Sequence, residues 1–165
     1  MKPTLSTRKH IGKAVSKARY QLDFGEHMAQ CEENFARLAC LLPHTEQGDA
    51  WQFGIDNPGG ALGDTAARIE LVVIERSRFT TTLSITQHGL LTFLGAHQLI
   101  VRVYHDARVA EVIACQKGRQ LREYYTYPNA NMFHEDEKVQ LNRYLGEWLS
   151  HCLRHGRSLS EIVLA

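Results

Sequence analysis

The sequence has few of the features that mark a secreted, membrane-spanning or nucleotide-binding protein. Its four cysteines form no CxxC pair and follow no secretory signal, so we expect reduced thiols in a cytosol. No apolar run approaches the ~18 residues of a membrane span. The glycines between 59 and 63 precede a predicted strand and lack the Gly-Lys-Ser/Thr of a phosphate loop. We therefore expect no disulfide framework, no membrane span and no phosphate loop.

Length and composition suit one domain. The chain has 165 residues, 44% of them hydrophobic, and a domain of this size buries roughly 70% of its unfolded surface. The net charge of +1 is unevenly spread, because residues 1–22 hold six basic and no acidic side chains. We expect 1–22 to be a basic, partly disordered arm and 23–165 to be a single α+β domain. Such an arm is either a solvated terminus or a contact for nucleic acid or an anionic membrane.

The best-specified segment is a hairpin over 99–115. Two runs rich in β-branched residues flank the sequence His-Asp-Ala-Arg, and both alternate with period two, which predicts antiparallel strands with one buried face. Loops of two or four residues give the same register, with Tyr104 opposite Val109 and Arg102 opposite Glu111. An opposed ion pair of this kind contributes roughly 0.2–1 kcal/mol. In this register Ile100 lies opposite Ile113.

Amphipathic periodicity predicts helices over 24–42 and 132–155. Asp23 is a candidate N-cap for the first, and Gly156 lies just past the end of the second. Further strands are predicted over 51–56, 65–75, 79–87 and 120–127. The predicted fold class is α+β, a mostly antiparallel sheet of four to six strands with an N-terminal-half helix and a long C-terminal helix packed on it.

The strand at 79–87 places a row of hydroxyl side chains on one face. Thr80, Thr82, Ser84 and Thr86 alternate with apolar neighbours. This row is most simply the solvent side of an antiparallel sheet. The alternative is a surface that binds a ligand or a strand-like peptide.

Four segments carry a family resemblance: MAQCEENFARLACLLP (28–43), RFTTTLSITQ (78–87), VRVYHDARVAEV (101–112) and YPNANMFHEDEKVQLNRYLGEWLSHCLRHG (127–156). Together they resemble the YqiB-like family of small bacterial proteins, a domain of unknown function, over roughly residues 24–156. The resemblance implies a cytoplasmic bacterial protein. It brings no activity, substrate or catalytic residue with it. The basic arm and the glycine-rich segment near residue 60 depart from the shorter family pattern.

The tip of the hairpin is the first candidate site. His105, Asp106 and Arg108 lie close together there, and loop residues on a rigid scaffold often carry chemistry. Histidine also titrates near neutrality. Asp106 has a local role as an alternative, because an Asp side chain at a turn hydrogen-bonds nearby backbone.

A second candidate site is the start of the C-terminal helix, where His134 is followed by Asp136. A metal site of the HExxH type needs a second histidine four residues after the first, and Lys138 occupies that position. His151 and His155 have the spacing of a chelating pair, but a structural zinc site needs four ligands. We therefore expect no metal and no cofactor. The catalytic candidates are His105, Asp106, His134 and Asp136.

Aromatic and basic side chains on the predicted strands form a third candidate set. Such residues on a sheet resemble the surfaces on which single-stranded RNA stacks, although no RNP-type motif is present. Ordinary sheet packing, together with the Arg102–Glu111 pair, is the stronger explanation of these residues. The candidates for ligand binding are Arg78, Arg102, Tyr104, Arg108, Tyr127 and Lys138.

The sequence contains no complete nucleophile, metal or nucleotide constellation. It therefore favours a non-catalytic binding or adaptor protein of the bacterial cytoplasm that uses the polar sheet face and the hairpin tip, with an unknown protein or small molecule as partner. One alternative is a small hydrolase or metal-dependent enzyme in which His105, Asp106, His134 and Asp136 converge. A second alternative is nucleic-acid binding through the basic arm and the sheet.

Overall fold

Two helices pack on one face of an antiparallel sheet in the computed structural model of the chain, which describes residues 23–42, 48–56, 65–89, 96–117, 120–123 and 135–159. In chain order the elements are α1 (Phe24–Leu41), β1 (Ala50–Asp56), β2 (Thr65–Arg76), β3 (Thr80–Gly89), β4 (Ala96–Tyr104), β5 (Val109–Lys117), β6 (Gln120–Glu123), α2 (Glu135–His155) and β7 (Gly156–Ser158). The strands form one sheet in the order β6-β5-β4-β3-β2-β1-β7, and all neighbours are antiparallel. The predicted α+β fold is confirmed, and the three-residue edge strand β7 brings the sheet to seven strands, one more than the four to six predicted.

The helix ends follow local signals in the sequence. Asp23 caps α1, because its carboxylate accepts hydrogen bonds from the backbone N–H groups of Gly25 and Glu26, at 2.9 and 3.3 Å. The side chain of Glu26 forms an ion pair with Arg143 on α2. Helix α2 ends at His155, and β7 begins at once with Gly156. The predicted first residues of α2, 132–134, lie outside the described residues, as does the basic arm.

The predicted register of the β4–β5 hairpin is confirmed in the half of the hairpin nearest the turn. Tyr104 lies opposite Val109 and Arg102 opposite Glu111. The prediction is wrong beyond Val112, because the register shifts there and Ile100 pairs with Ala114 instead of Ile113. A β-bulge of this kind places an extra residue in one strand. The backbone amide of Val112 donates a hydrogen bond of 3.0 Å to the side chain of Asn142 on α2, so the irregularity lies where the helix contacts the strand.

The hydroxyl row of β3 does not face open solvent, contrary to expectation. Thr82 and Ser84 are only 6% and 7% exposed. Side chains of β4 cover them: Gln98 donates a hydrogen bond to Ser84, and Arg102 Nε lies 3.5 Å from the Thr82 hydroxyl oxygen. Long polar side chains on the adjacent strand therefore shield and bind the short ones. The period-two pattern shows which face of the sheet a side chain lies on. It does not show whether side chains of the adjacent strand cover it.

The core lies between the helices and the opposite face of the sheet. Val101 and Val112 have no exposed surface, as the hairpin pattern predicts. They belong to one buried cluster with leucines of both helices, and burying each such side chain contributes about 1.5–3 kcal/mol. The largest fully buried aliphatic side chains are Leu42, Ile69, Leu71, Val101, Val112, Leu145 and Leu149.

Two asparagines with no exposed surface connect α1, α2 and β5 within this core. Asn34 on α1 donates a hydrogen bond of 3.0 Å to the backbone carbonyl of Asn142 on α2. Asn142 accepts from the amide of Val112 and donates to the carbonyl of Lys138, at 3.0 and 2.9 Å. Gly146 permits the close approach, because a Cβ at this position would lie 2.8 Å from the Asn34 side-chain oxygen.

We expect Asn142→Ala to lower the free energy of unfolding by about 2–4 kcal/mol, because it leaves the buried amide of Val112 without an acceptor and opens a cavity. Urea denaturation followed by circular dichroism measures the change. Gln140→Ala, at an exposed position of the same helix, is the matched control and should change stability by less than about 0.5 kcal/mol. Equal effects of the two substitutions would contradict the role given to the asparagine.

Candidate functional site

The hairpin tip is an exposed four-residue turn, His105 to Arg108, between β4 and β5. The Asp106 carboxylate accepts a hydrogen bond of 2.9 Å from the amide of Ala107. Arg108 has a φ of 55°, in the left-handed region. Asp106 therefore has the local turn role that was the alternative to catalysis.

The His105 side chain contacts β3. Its Nε2 atom lies 2.8 Å from the hydroxyl oxygen of Thr81, and its backbone amide donates to the carbonyl of Phe79 at 2.9 Å. Thr81 is buried and His105 is exposed. The imidazole is thus fixed at the boundary between the sheet and solvent.

Thr81 and His105 line an apolar pocket between the second half of α1 and the sheet, which we call the tip pocket. Its volume is about 80 Å³. Arg108 lies near the pocket, with its guanidinium carbon 5.8 Å from the centre of the Phe35 ring. The apolar lining comes from α1 and from four strands, and includes Phe35, Leu38, Leu42, Trp51, Leu83 and Val103.

A second group of polar side chains gathers around Glu111 on β5. Its carboxylate accepts a hydrogen bond from the Tyr104 hydroxyl at 3.2 Å and pairs with the Lys138 ammonium at 3.0 Å. The ion pair expected between Arg102 and Glu111 is therefore replaced by one with α2. The Glu111 and Lys138 side chains are only 15% and 22% exposed, so water screens their attraction weakly.

His27 and Cys31 on α1 approach the same carboxylate. They lie four residues apart, on one face of the helix, with 3.8 Å between the imidazole Nε2 and the sulfur. One ligand atom from each of His27, Cys31 and Glu111 lies within 4.8 Å of the other two, and we call this group the His27–Cys31–Glu111 cluster. It joins a nitrogen, a sulfur and an oxygen, all ligands of transition metals.

Burial sets the protonation of the two α1 side chains. It raises the pKa of the Cys31 thiol to about 11, with a further contribution from the negative charge of Glu111. Burial also lowers the pKa of the His27 imidazole, and the Lys138 ammonium lowers it further. The cluster therefore has a neutral thiol and a neutral imidazole at pH 7.

The candidate residues do not form one site. Tyr104 and Lys138 meet at Glu111, whereas His105 and Arg108 lie at the tip pocket. Asp136 is exposed at the start of α2. His134 and Tyr127 lie outside the described residues. Of the remaining candidates, Arg78 lies over the Phe79 ring at 5.0 Å and Arg102 contacts Thr82.

Thr81, Phe35, His27 and Cys31 were not predicted as site residues. The only sequence signal for the last two was their spacing of four on a predicted helix. Glu111 was predicted as the partner of Arg102 alone. Glu111 lies 84 residues after His27 and 80 after Cys31, and contacts at such separations leave no local pattern in the sequence.

The fold defines a small α+β protein with a helix-covered antiparallel sheet. Residues 37–158 match the family described as "Protein of unknown function (DUF1249)". The proteins titled "Uncharacterized protein YqiB" from Escherichia coli K12 and O157:H7 are each 36% identical over 140 residues, which is 84% of this chain and 94% of theirs. The chain therefore belongs to the DUF1249 family, and the resemblance to YqiB-like proteins is confirmed.

No solved structure matches the chain. The family match spans Glu111, Tyr104, Lys138 and the tip, while His27 and Cys31 precede it. Within the described parts of the chain, no helix is long and apolar enough to cross a membrane.

We expect Cys31 to react with iodoacetamide at pH 8 far more slowly than Cys40. Both lie on α1, but Cys40 is exposed and Cys31 is 2% exposed with a pKa of about 11, so only about one thiol in a thousand is ionised. Mass spectrometry of tryptic peptides over time measures both rates, and addition of urea should make them similar. Equal rates in the native protein would show that Cys31 is not shielded.

Proposed function

We propose that this chain is a non-catalytic binding protein that takes a small organic anion, with a short branched alkyl group, into the tip pocket. The observation that carries the proposal is the convergence of an apolar pocket, a threonine–histidine pair and an arginine at the hairpin tip. An apolar concavity with a few converging polar groups is the usual form of a small-molecule site.

The pocket's volume limits the apolar part of the ligand. A cavity of about 150 Å³ lined by aliphatic side chains accommodates benzene. The tip pocket, at about 80 Å³, is roughly half as large and favours an isopropyl or isobutyl group. Val103 and Leu83 form part of its lining, so the contacts offered to such a group are dispersive and apolar.

The charge at the tip favours an anion. The Arg108 guanidinium is a cation with several N–H donors, and the imidazole of His105, in the same turn, also has a ring N–H group. The nearest acidic residue in the chain, Asp106, directs its carboxylate to the amide of Ala107. A carboxylate at the end of the alkyl group would therefore be adjacent to Arg108 and His105.

The same geometry argues against catalysis by the threonine–histidine pair. A hydroxyl nucleophile with an imidazole base normally has a third group that orients the imidazole. Among the described residues no carboxylate contacts His105. The hydroxyls of Thr82 and Ser84 bind neighbouring side chains, so the tip pocket is a better ligand site than the polar sheet face.

Isovalerate and its neutral analogue isovaleramide test the proposal by NMR titration of the ¹⁵N-labelled full chain. We expect isovalerate to shift the amides of the tip and of the second half of α1, with a Kd of about 1 mM, equivalent to about 4 kcal/mol. Arg108→Asn, which tolerates the left-handed backbone, should weaken isovalerate about two- to fivefold and leave isovaleramide unchanged.

A substitution at the pocket provides a matched control. Ala39 lines the pocket and Ala36 does not, and both are exposed on α1. Ala39→Phe should abolish binding of both ligands, and Ala36→Phe should leave it intact. Absence of binding to the unmodified chain, or equal effects of the two variants, would overturn the proposal. Hydrolysis of p-nitrophenyl isovalerate that is lost in His105→Ala would show an enzyme instead.

A further inference from the structure

The His27–Cys31–Glu111 cluster is separate from the tip pocket, and neither site needs the other. Its three ligand atoms come from two elements that are distant in sequence, α1 and β5. We propose that the cluster binds a divalent transition-metal ion of the zinc class, with His27, Cys31 and Glu111 as its protein ligands.

The separation of the ligand atoms suits a small ion. Zn²⁺ binds nitrogen and oxygen at about 2.0–2.2 Å and sulfur at about 2.3 Å, so its ligands in a tetrahedral arrangement lie about 3.5 Å apart. The imidazole Nε2 and the Cys31 sulfur are already 3.8 Å apart, and all three ligand atoms lie within 4.8 Å. Side-chain rotations that shorten these distances by about 1 Å complete the site. The fourth position would hold water.

The His27 imidazole provides an independent observation. Its Nε2 atom has the weak contact to sulfur at 3.8 Å, and its Nδ1 atom is buried and has no hydrogen-bond partner among the described residues. Buried polar nitrogens in native proteins are nearly always bonded, so this one requires an explanation. Ligation of a metal through Nδ1 would give this nitrogen the partner that it lacks, and ligation through Nε2 would replace the weak contact to sulfur.

Some of the surrounding charged groups favour a bound cation at this cluster, and one opposes it. The Cys31 thiolate and the Glu111 carboxylate neutralise a divalent ion, since the metal displaces the thiol proton. The Tyr104 hydroxyl holds the Glu111 carboxylate in place, as residues behind metal ligands do. Lys138 pairs with the same carboxylate and competes with a cation for it. The proposal therefore requires that removal of the Lys138 charge strengthen metal binding.

Titration of the full chain with Co²⁺ tests the site, because cobalt replaces zinc and its absorption reports a bound thiolate. We expect one equivalent of Co²⁺ to give a thiolate-to-cobalt charge-transfer band with four-coordinate visible bands, and Zn²⁺ to abolish both. Cys31→Ser should remove the charge-transfer band. Cys40→Ser, at an exposed position of the same helix, should retain it. Lack of the band in the unmodified chain, or its survival in Cys31→Ser, would overturn the proposal.

Two further variants separate ligation from folding. His27→Gln, at a half-buried position, should weaken Co²⁺ binding at least tenfold while the circular dichroism spectrum stays unchanged. Lys138→Met should tighten binding about tenfold, which a purely structural ion pair with Glu111 would not produce. Unchanged affinity in both variants would contradict the proposal. Binding without a charge-transfer band that is lost in His151→Ala would assign the ion to the exposed His151–His155 pair instead.

Discussion

Asn142 connects the main structural elements of this protein at one point. Its side chain accepts the hydrogen bond of the Val112 amide at the irregular part of β5, and its backbone carbonyl accepts from Asn34 on α1. Leucine packing alone would allow α1 and α2 to slide along the sheet, because apolar contacts have little directional preference. Buried hydrogen bonds are directional and costly to leave unmade, so this network fixes one arrangement.

That arrangement places α1 over both candidate sites. Its first half brings His27 and Cys31 to Glu111, and its second half, with Phe35 and Leu38, covers the tip pocket. The close contact with α2 needs Gly146, where even a methyl group would meet the Asn34 side chain. A glycine inside a helix costs about 1 kcal/mol relative to alanine. Here the space it leaves allows the two helices to approach.

Glu111 shows how burial changes the role of a charged residue. On an exposed hairpin it would pair with Arg102, the residue opposite, and such pairs contribute little. Both helices instead approach it, and Lys138 becomes its partner while Arg102 turns to Thr82. A partly buried carboxylate with a lysine, a tyrosine and a neutral histidine nearby is electrostatically demanding. Such groups concentrate at sites that bind ions or ligands.

The sequence by itself determined the elements whose signals are local. Asp23 caps α1 because its side chain reaches amides two and three residues ahead, and the register of Arg102 opposite Glu111 follows from a short turn and a period of two. It also determined the α+β class and the family. These features depend on residues a few positions apart, whose spacing can be read directly from the chain.

Only the tertiary structure decided the rest. The shift in β5 lies where the strand contacts Asn142, 30 residues further along the chain, and side chains of β4 bond to Thr82 and Ser84. The His27–Cys31–Glu111 cluster likewise exists only once α1 has docked. Packing of a helix on a strand is set by shape and by a few buried hydrogen bonds, and no periodicity in the sequence encodes which residues then meet.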